Sequence, residues 1–316
     1  MTKRSTGRAD FSMGDALGAG FRLFRRQPVA VLGWGALHML LALGAWFVLI
    51  PFLRDISFMT MGSEAEVERI NAMVGFQAAI WALNLAQLAI TLVVWTAAMR
   101  ATLKPGRTDP FLFLRAGMDE VRVGVMAVAL IAGFYAFILL VAVLGAAFGF
   151  ALFAMGEAAA VSGVFLYGVL VLAVILVGWS RLSLLMPAAM ITGGFAFEEG
   201  WRIGKGRTAK LVGLNLLLLL IYYVAAILIV GLLGAGLVGV FLATGGVWPS
   251  DPQTLDDVFQ AFRPMAPWAA LALLVMIPFS GWLIAFWAGA LTTAARQLAD
   301  GALPPESARD AAEPSR

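Results

Sequence analysis

Residues 211–243 read LVGLNLLLLLIYYVAAILIVGLLGAGLVGVFLA, a run without one charged side chain. A helix rises about 1.5 Å per residue, so this run is more than long enough for the roughly 30 Å hydrocarbon core of a bilayer. Inside lipid no water bonds the peptide groups, and a helix satisfies them within the segment itself. The run therefore reads as a transmembrane helix. Working outward from it, five more runs qualify, at 29–52, 75–99, 123–153, 160–187 and 266–295. The third, fifth and sixth exceed one crossing, which implies tilt or kinks. Pro278, close to Ser280 and Gly281, is the expected kink in the last. The predicted fold class is all-α: a polytopic membrane helix bundle, with one membrane domain over 1–299 and a polar, proline-rich, disordered tail over 300–316.

Composition agrees. The chain is 61% hydrophobic and 13% charged, with mean hydropathy +0.90, whereas a soluble domain carries about a quarter charged residues. Cysteine is absent, which excludes disulfides and thiolate metal sites, and His38 is the single histidine. A net charge of +3 gives no reason to expect nucleic acid as a partner. Residues 1–28 lack a cleavable secretory signal, so the first apolar run is expected to stay in the mature protein.

The distribution of charge orients the spans. Nineteen of the 22 Lys and Arg residues fall in 1–28, 100–122, 181–210 and the tail, all on one side of a six-span chain. Only Arg54, Arg69 and Arg263 fall on the other. Lys and Arg accumulate in cytoplasmic loops, so both termini are predicted to be cytoplasmic. The opposite segments lean acidic, and two spacings there, Ser63 with Glu66 and Thr254 with Asp257, suit helix starts. Tryptophans gather near the predicted boundaries, Trp34 and Trp95 among them, where an indole suits the headgroup level.

Each odd-numbered span follows an amphipathic stretch on the basic side. In 12–26, Met13, Leu17, Phe21 and Phe24 oppose Asp15, Arg22 and Arg26, with Ser12 as cap and Pro28 as stop. In 110–122, Phe111, Leu114, Met118 and Val121 oppose Arg115, Asp119 and Arg122. In 195–207, Phe197 and Trp201 oppose Glu198, Arg202 and Lys205. Three cytoplasmic interfacial helices are predicted, basic side toward anionic headgroups. The layout is then interfacial helix plus hairpin, three times over. Residues 20–33 align with 200–213 at Gly20, Arg22 and Gly33 against Gly200, Arg202 and Gly213. Small residues one turn apart (Gly145 and Gly149; Gly231, Ala235 and Gly239; Gly281, Ala285 and Gly289) suit close helix packing inside the bundle or across a dimer interface.

Polar groups within spans are costly and so are candidates for function. His38 lies mid-span in the first helix. Asn84 and Gln87 share a face of the second with the spacing of helical neighbours. These residues line a polar cavity or bond neighbouring helices. Arg100, Arg181 and Arg296 stand at the basic ends of the second, fourth and sixth spans. There an arginine snorkels to the headgroups, clamps a lipid phosphate or, for Arg181, pairs with Glu198 or Glu199. No phosphate-binding glycine loop, metal cluster or nucleophile motif occurs, so neither a cofactor nor a catalytic site is expected.

The stretch 179–213 runs W-S-R-L-S-L-L-M-P, then E-G-W-R-I-G-K-G and a new apolar run. It resembles the signature of the bacterial membrane domain associated with glycerophosphodiester phosphodiesterases, and of related uncharacterised six-span families. Trp179, Arg181, Pro187 and Trp201 carry the match, with Gly200 where the family usually has serine. Residues 100–124 also resemble alphaproteobacterial membrane proteins. That family's hydrolysis belongs to a separate soluble barrel, which residues after 300 are too few to form, so the resemblance implies fold and topology rather than catalysis. Two functions follow as expectations for a bacterial inner-membrane protein. One is a non-enzymatic scaffold or accessory subunit at the lipid interface, with anionic lipids and a membrane protein as partners. The other is a transporter or lipid-handling protein with an intramembrane polar cavity.

Overall fold

The computed structural model describes residues 10–58, 65–107, 109–245, 260–261 and 263–302. Among them there are helices and turns but no strand. In chain order the helices are α1 Met13–Arg26, α2 Pro28–Phe58, α3 Ala65–Leu103, α4 Met118–Phe153, α5 Glu157–Leu182, α6 Leu185–Thr192, α7 Phe197–Ile203, α8 Thr208–Ala243 and α9 Ala266–Ala302. Six helical segments are long and apolar enough to cross a membrane, with α5 and α6 together forming the fourth. The protein is an integral membrane helix bundle. The helix starts proposed at Ser63 and Thr254, and the tail after 302, lie wholly or partly outside the described residues.

The spans alternate in direction, so the start of α2, end of α3, start of α4, end of α5, start of α8 and end of α9 share one end, here called the basic end. The buried core lies there. One cluster joins Met126 of α4, Leu184 and Ala188 around α6, Leu214 of α8 and Ala294 of α9. A second joins Val31 and Trp34 of α2, Val94 and Ala98 of α3, Val123 of α4 and Ala288 of α9. Toward the other end the helices turn long apolar side chains outward, such as Phe150 and Phe153 of α4, Phe165 of α5 and Leu232 of α8. Side chains of this kind are solvated by lipid and need no protein partner.

α9 is the axis of the bundle, continuous through Pro278 and packed against α1, α2 and α3. Its small residues make this possible. A methyl placed on Gly281 would lie 2.0 Å from the Val31 carbonyl oxygen of α2, and one on Gly35 would lie 2.0 Å from that of Ile277. Farther along, Gly289 faces the Gly20 backbone of α1, and a methyl on Gly20 would lie 2.4 Å from Phe286 Cα. This stripe packs inside the bundle. The stripe at Gly231, Ala235 and Gly239 does not: all three are exposed, and a methyl on either glycine would meet nothing within 4 Å.

Several expectations need correction. The stretch 110–122 is not a helix of its own: residues 110–113 form turns, and α4 begins at Met118. Leu112 and Phe113 adopt φ of 56° and 62°, a left-handed conformation that costs non-glycine residues about 1–2 kcal/mol each. Burial of Phe113 and hydrogen bonds to both carbonyls offset that cost. Trp34 is one of the donors; its Nε1 reaches the Leu112 carbonyl at 2.9 Å, so this indole near the start of α2 is fully buried in the protein. α1 forms as expected, with the Ser12 hydroxyl accepting from the Asp15 amide at 3.2 Å. Its buried face, however, is the small one of Ala16, Ala19, Gly20 and Leu23 against α9, while Phe21 is half-exposed. Helix α5 ends at Leu182, and the fourth span continues through α6 to Thr192. Pro187 then stands in the first turn of α6, where its missing N–H leaves no helical bond unmade. α7 covers only Phe197–Ile203 of the third stretch.

Candidate functional site at the basic end

The polar side chains singled out in the sequence separate into three groups. Arg100, in the last turn of α3, is 6% exposed. Its guanidinium donates to the Phe113 carbonyl at 2.6 Å and to Glu120 Oε1 at 2.5 Å, with Asp119 Oδ2 at 3.4 Å. Glu120 Oε2 in turn accepts from the Gly117 amide at 2.9 Å. Arg100 is therefore not a snorkelling side chain. It is a buried lock that holds α3, the 104–117 segment and the start of α4 together. Both charges sit where helix dipoles favour them, a cation at a C-terminus and carboxylates at an N-terminus. Glu120 did not stand out in the sequence; the available signal was an acidic pair heading an apolar helix on the positively charged side.

Arg181 closes a second joint. Its Nε donates to Thr208 Oγ1 at 2.9 Å, and its guanidinium carbon lies 4.8 Å from the Trp201 ring centroid. This couples α5 to α7 and α8. Among the described residues it forms no ion pair with Glu198 or Glu199. Nearby, buried Asn215 of α8 donates to the Leu211 carbonyl at 2.9 Å and approaches the Ser183 hydroxyl at 3.4 Å, while its own carbonyl oxygen has no partner. A lone amide within a run of leucines was the signal for it.

Arg296 belongs to a third group, a cleft of about 380 Å³ between α1, the end of α3 and α9. Its charged walls are Arg22 and Arg26 from α1 and Arg296 from α9, with Asp300 the one carboxylate among the described residues. The Lys104–Arg107 turn, with Pro105 followed by Gly106 at φ 95°, forms its rim, and Gln27 Nε2 donates to the Arg107 carbonyl at 2.9 Å. Thr292 lines the inner wall. It is fully buried, and its hydroxyl has no partner among the described residues. Hydroxyls elsewhere in the helices, at Thr96, Thr102 and Thr192, donate to the carbonyl four residues back. Thr292 does not, at a cost of about 1–3 kcal/mol for an unsatisfied buried polar group.

His38 is half-buried about 15 Å along α2 from its start, Gln87 is half-buried on α3, and Asn84 is exposed. None of these lines the cleft, and the structure does not bring them together with Arg181.

At the edge of the basic end, Asp10 bonds Lys210 at the start of α8, with Arg207 Nε at 3.6 Å. The Lys210 ammonium first, with help from the Phe11 amide and Arg207, holds the Asp10 carboxyl below its ordinary range against the opposing effect of desolvation. Asp109 is lowered likewise by the Phe111 amide and Arg115. A depressed folded value contributes stability above the unfolded carboxylate pKa of about 3.9, and that contribution is lost as pH falls through the folded value. Asp10→Asn is expected to flatten the decline of melting temperature below about pH 4, measured by a thermal scan at stepped pH; an unchanged slope would show that this pairing does not act on stability.

Comparison with known proteins matches the chain to no family model, no curated protein and no solved structure.

Proposed function

We propose that the protein is a non-enzymatic scaffold or accessory subunit of the bacterial inner membrane, threaded with both termini and the basic end on the cytoplasmic side. There it contacts anionic headgroups and holds a membrane protein partner. The observation that carries this reading is the division of the bundle. Arg100 with Glu120 and Arg181 with Thr208 bond at one end, and the opposite halves of α4, α5 and α8 face outward with aromatic and aliphatic residues. The open small-residue face of α8 suits close approach by a partner helix. A transporter reading needs polar groups gathered at one depth, and His38, Asn84 and Arg181 lie apart. The resemblance of 179–213 to a membrane domain that accompanies soluble enzymes supports an accessory role.

Particle mass after gentle extraction into nanodiscs tests the reading. It should exceed that of one 33.6 kDa chain, and Gly231→Leu with Gly239→Leu should reduce it to a single chain. A lone wild-type chain that drives solute flux in liposomes would overturn the proposal.

A further inference from the structure

The cleft between α1, α3 and α9 goes beyond that reading. We infer that it is a phosphate-binding site, taking the phosphate of an anionic lipid headgroup or of a soluble phosphate compound. Among the described residues, three guanidinium groups, Arg22, Arg26 and Arg296, line the cleft with one carboxylate, Asp300, so its described lining is net positive. Arginine is suited to phosphate because its planar fork presents parallel N–H donors to two oxygens at once. One hand of Arg22 is already fixed, Nη2 donating to the Asp15 carbonyl at 2.7 Å, which holds that side chain along α1. Arg26 and Arg296 are exposed and form no ion pair among the described residues.

The second, independent observation is Thr292. Thr292 lines the cleft, and its buried hydroxyl forgoes the bond to the preceding turn that Thr96, Thr102 and Thr192 make, which leaves a donor unused among the described residues at this wall. Apolar Ala19, Leu23 and Ala101 form the remaining wall, on which a ligand's carbon portion can rest. The volume, about 380 Å³, falls within the range of small-molecule sites, which begins near 300 Å³.

The full chain in phosphatidylcholine nanodiscs tests the inference without a partner, so its failure is separate from failure of the scaffold reading. Inorganic phosphate is titrated in one arm. In the other, phosphatidylglycerol is added to the disc and its retention is counted by native mass spectrometry. Saturable binding is expected, weakened about tenfold or more by Arg26→Gln and by Arg296→Gln. Arg202→Gln, a basic exposed residue outside the cleft, should leave affinity within about twofold, as a distant site does. Thr292→Val should weaken binding and Thr292→Ser should restore it. Saturation by phosphatidylglycerol alone assigns a lipid headgroup, and saturation by inorganic phosphate assigns a soluble phosphate. The inference is overturned if neither saturates, if Arg202→Gln weakens binding as much as Arg296→Gln, or if Thr292→Val binds as tightly as Thr292→Ser.

Discussion

Glu120→Ala is expected to destabilise the bundle by about 3–5 kcal/mol, the usual cost of stranding one member of a buried ion pair. Arg100 would keep its bond to the Phe113 carbonyl, but its nearest remaining carboxylate oxygen would be that of Asp119, at 3.4 Å and largely exposed. The Gly117 amide would lose its acceptor too. The consequence should be local first, because Arg100 and Trp34 hold the left-handed turn at Leu112 and Phe113. Loss of one clamp should raise proteolysis between Lys104 and Gly117 before the spans melt. Replacing both partners, Arg100→Met with Glu120→Met, removes the stranded charge and should recover most of the loss. Thermal melting of Glu120→Ala, of Arg100→Met and Glu120→Met singly, and of the double Met variant in matched nanodiscs checks this cycle. A loss below about 1 kcal/mol in Glu120→Ala would mean that the pair is not the lock described, since exposed pairs are worth that little.

Gly281→Ala should act on the axis of the fold. The added methyl would lie 2.0 Å from the Val31 carbonyl oxygen, and no side-chain rotation relieves a clash with backbone. The helices α2 and α9 must part by more than an ångström to reach ordinary contact, and packing around Trp34 and Ala285 would loosen. Overpacking of a tight core costs about 1–3 kcal/mol and sometimes more; a backbone clash belongs at the upper end. Gly35→Ala should match it, because Gly35 meets the Ile277 carbonyl from the facing helix. Gly239→Ala should be nearly silent in a single dissociated chain, because nothing in the bundle lies within 4 Å of that position. Melting temperatures of the three variants check the contrast, and equal effects at Gly281 and Gly239 would contradict it.

Much of this fold is legible in the sequence, because bilayer thickness and backbone hydrogen bonding leave an apolar run few alternatives. The run 211–243 became the greater part of α8, and 266–295 lies within α9. Local capping chemistry was legible too, as at Ser12. What failed was the reading of helix from spacing alone at 110–117. There the apolar period was present, but Trp34 and Arg100 claim the carbonyls of Leu112 and Phe113, and tertiary bonding overrides local preference. Arg100 and Glu120 are far enough apart in sequence that no short-range rule links them. The cleft is less legible still. Arg22 and Arg296 come from opposite ends of the chain, and only the Gly20–Gly289 approach of α1 to α9 brings them together.

The measurement that bears most directly on the whole arrangement uses the absence of cysteine. Single cysteines placed at Lys104, Lys205, Met155 and Thr244, all exposed in turns between helices, can each be labelled from one side of sealed cells with an impermeant maleimide. Met155→Cys and Thr244→Cys should react from outside, and Lys104→Cys and Lys205→Cys only after the membrane is opened. Reaction of all four from the same side would show that these helices do not cross the membrane in alternation.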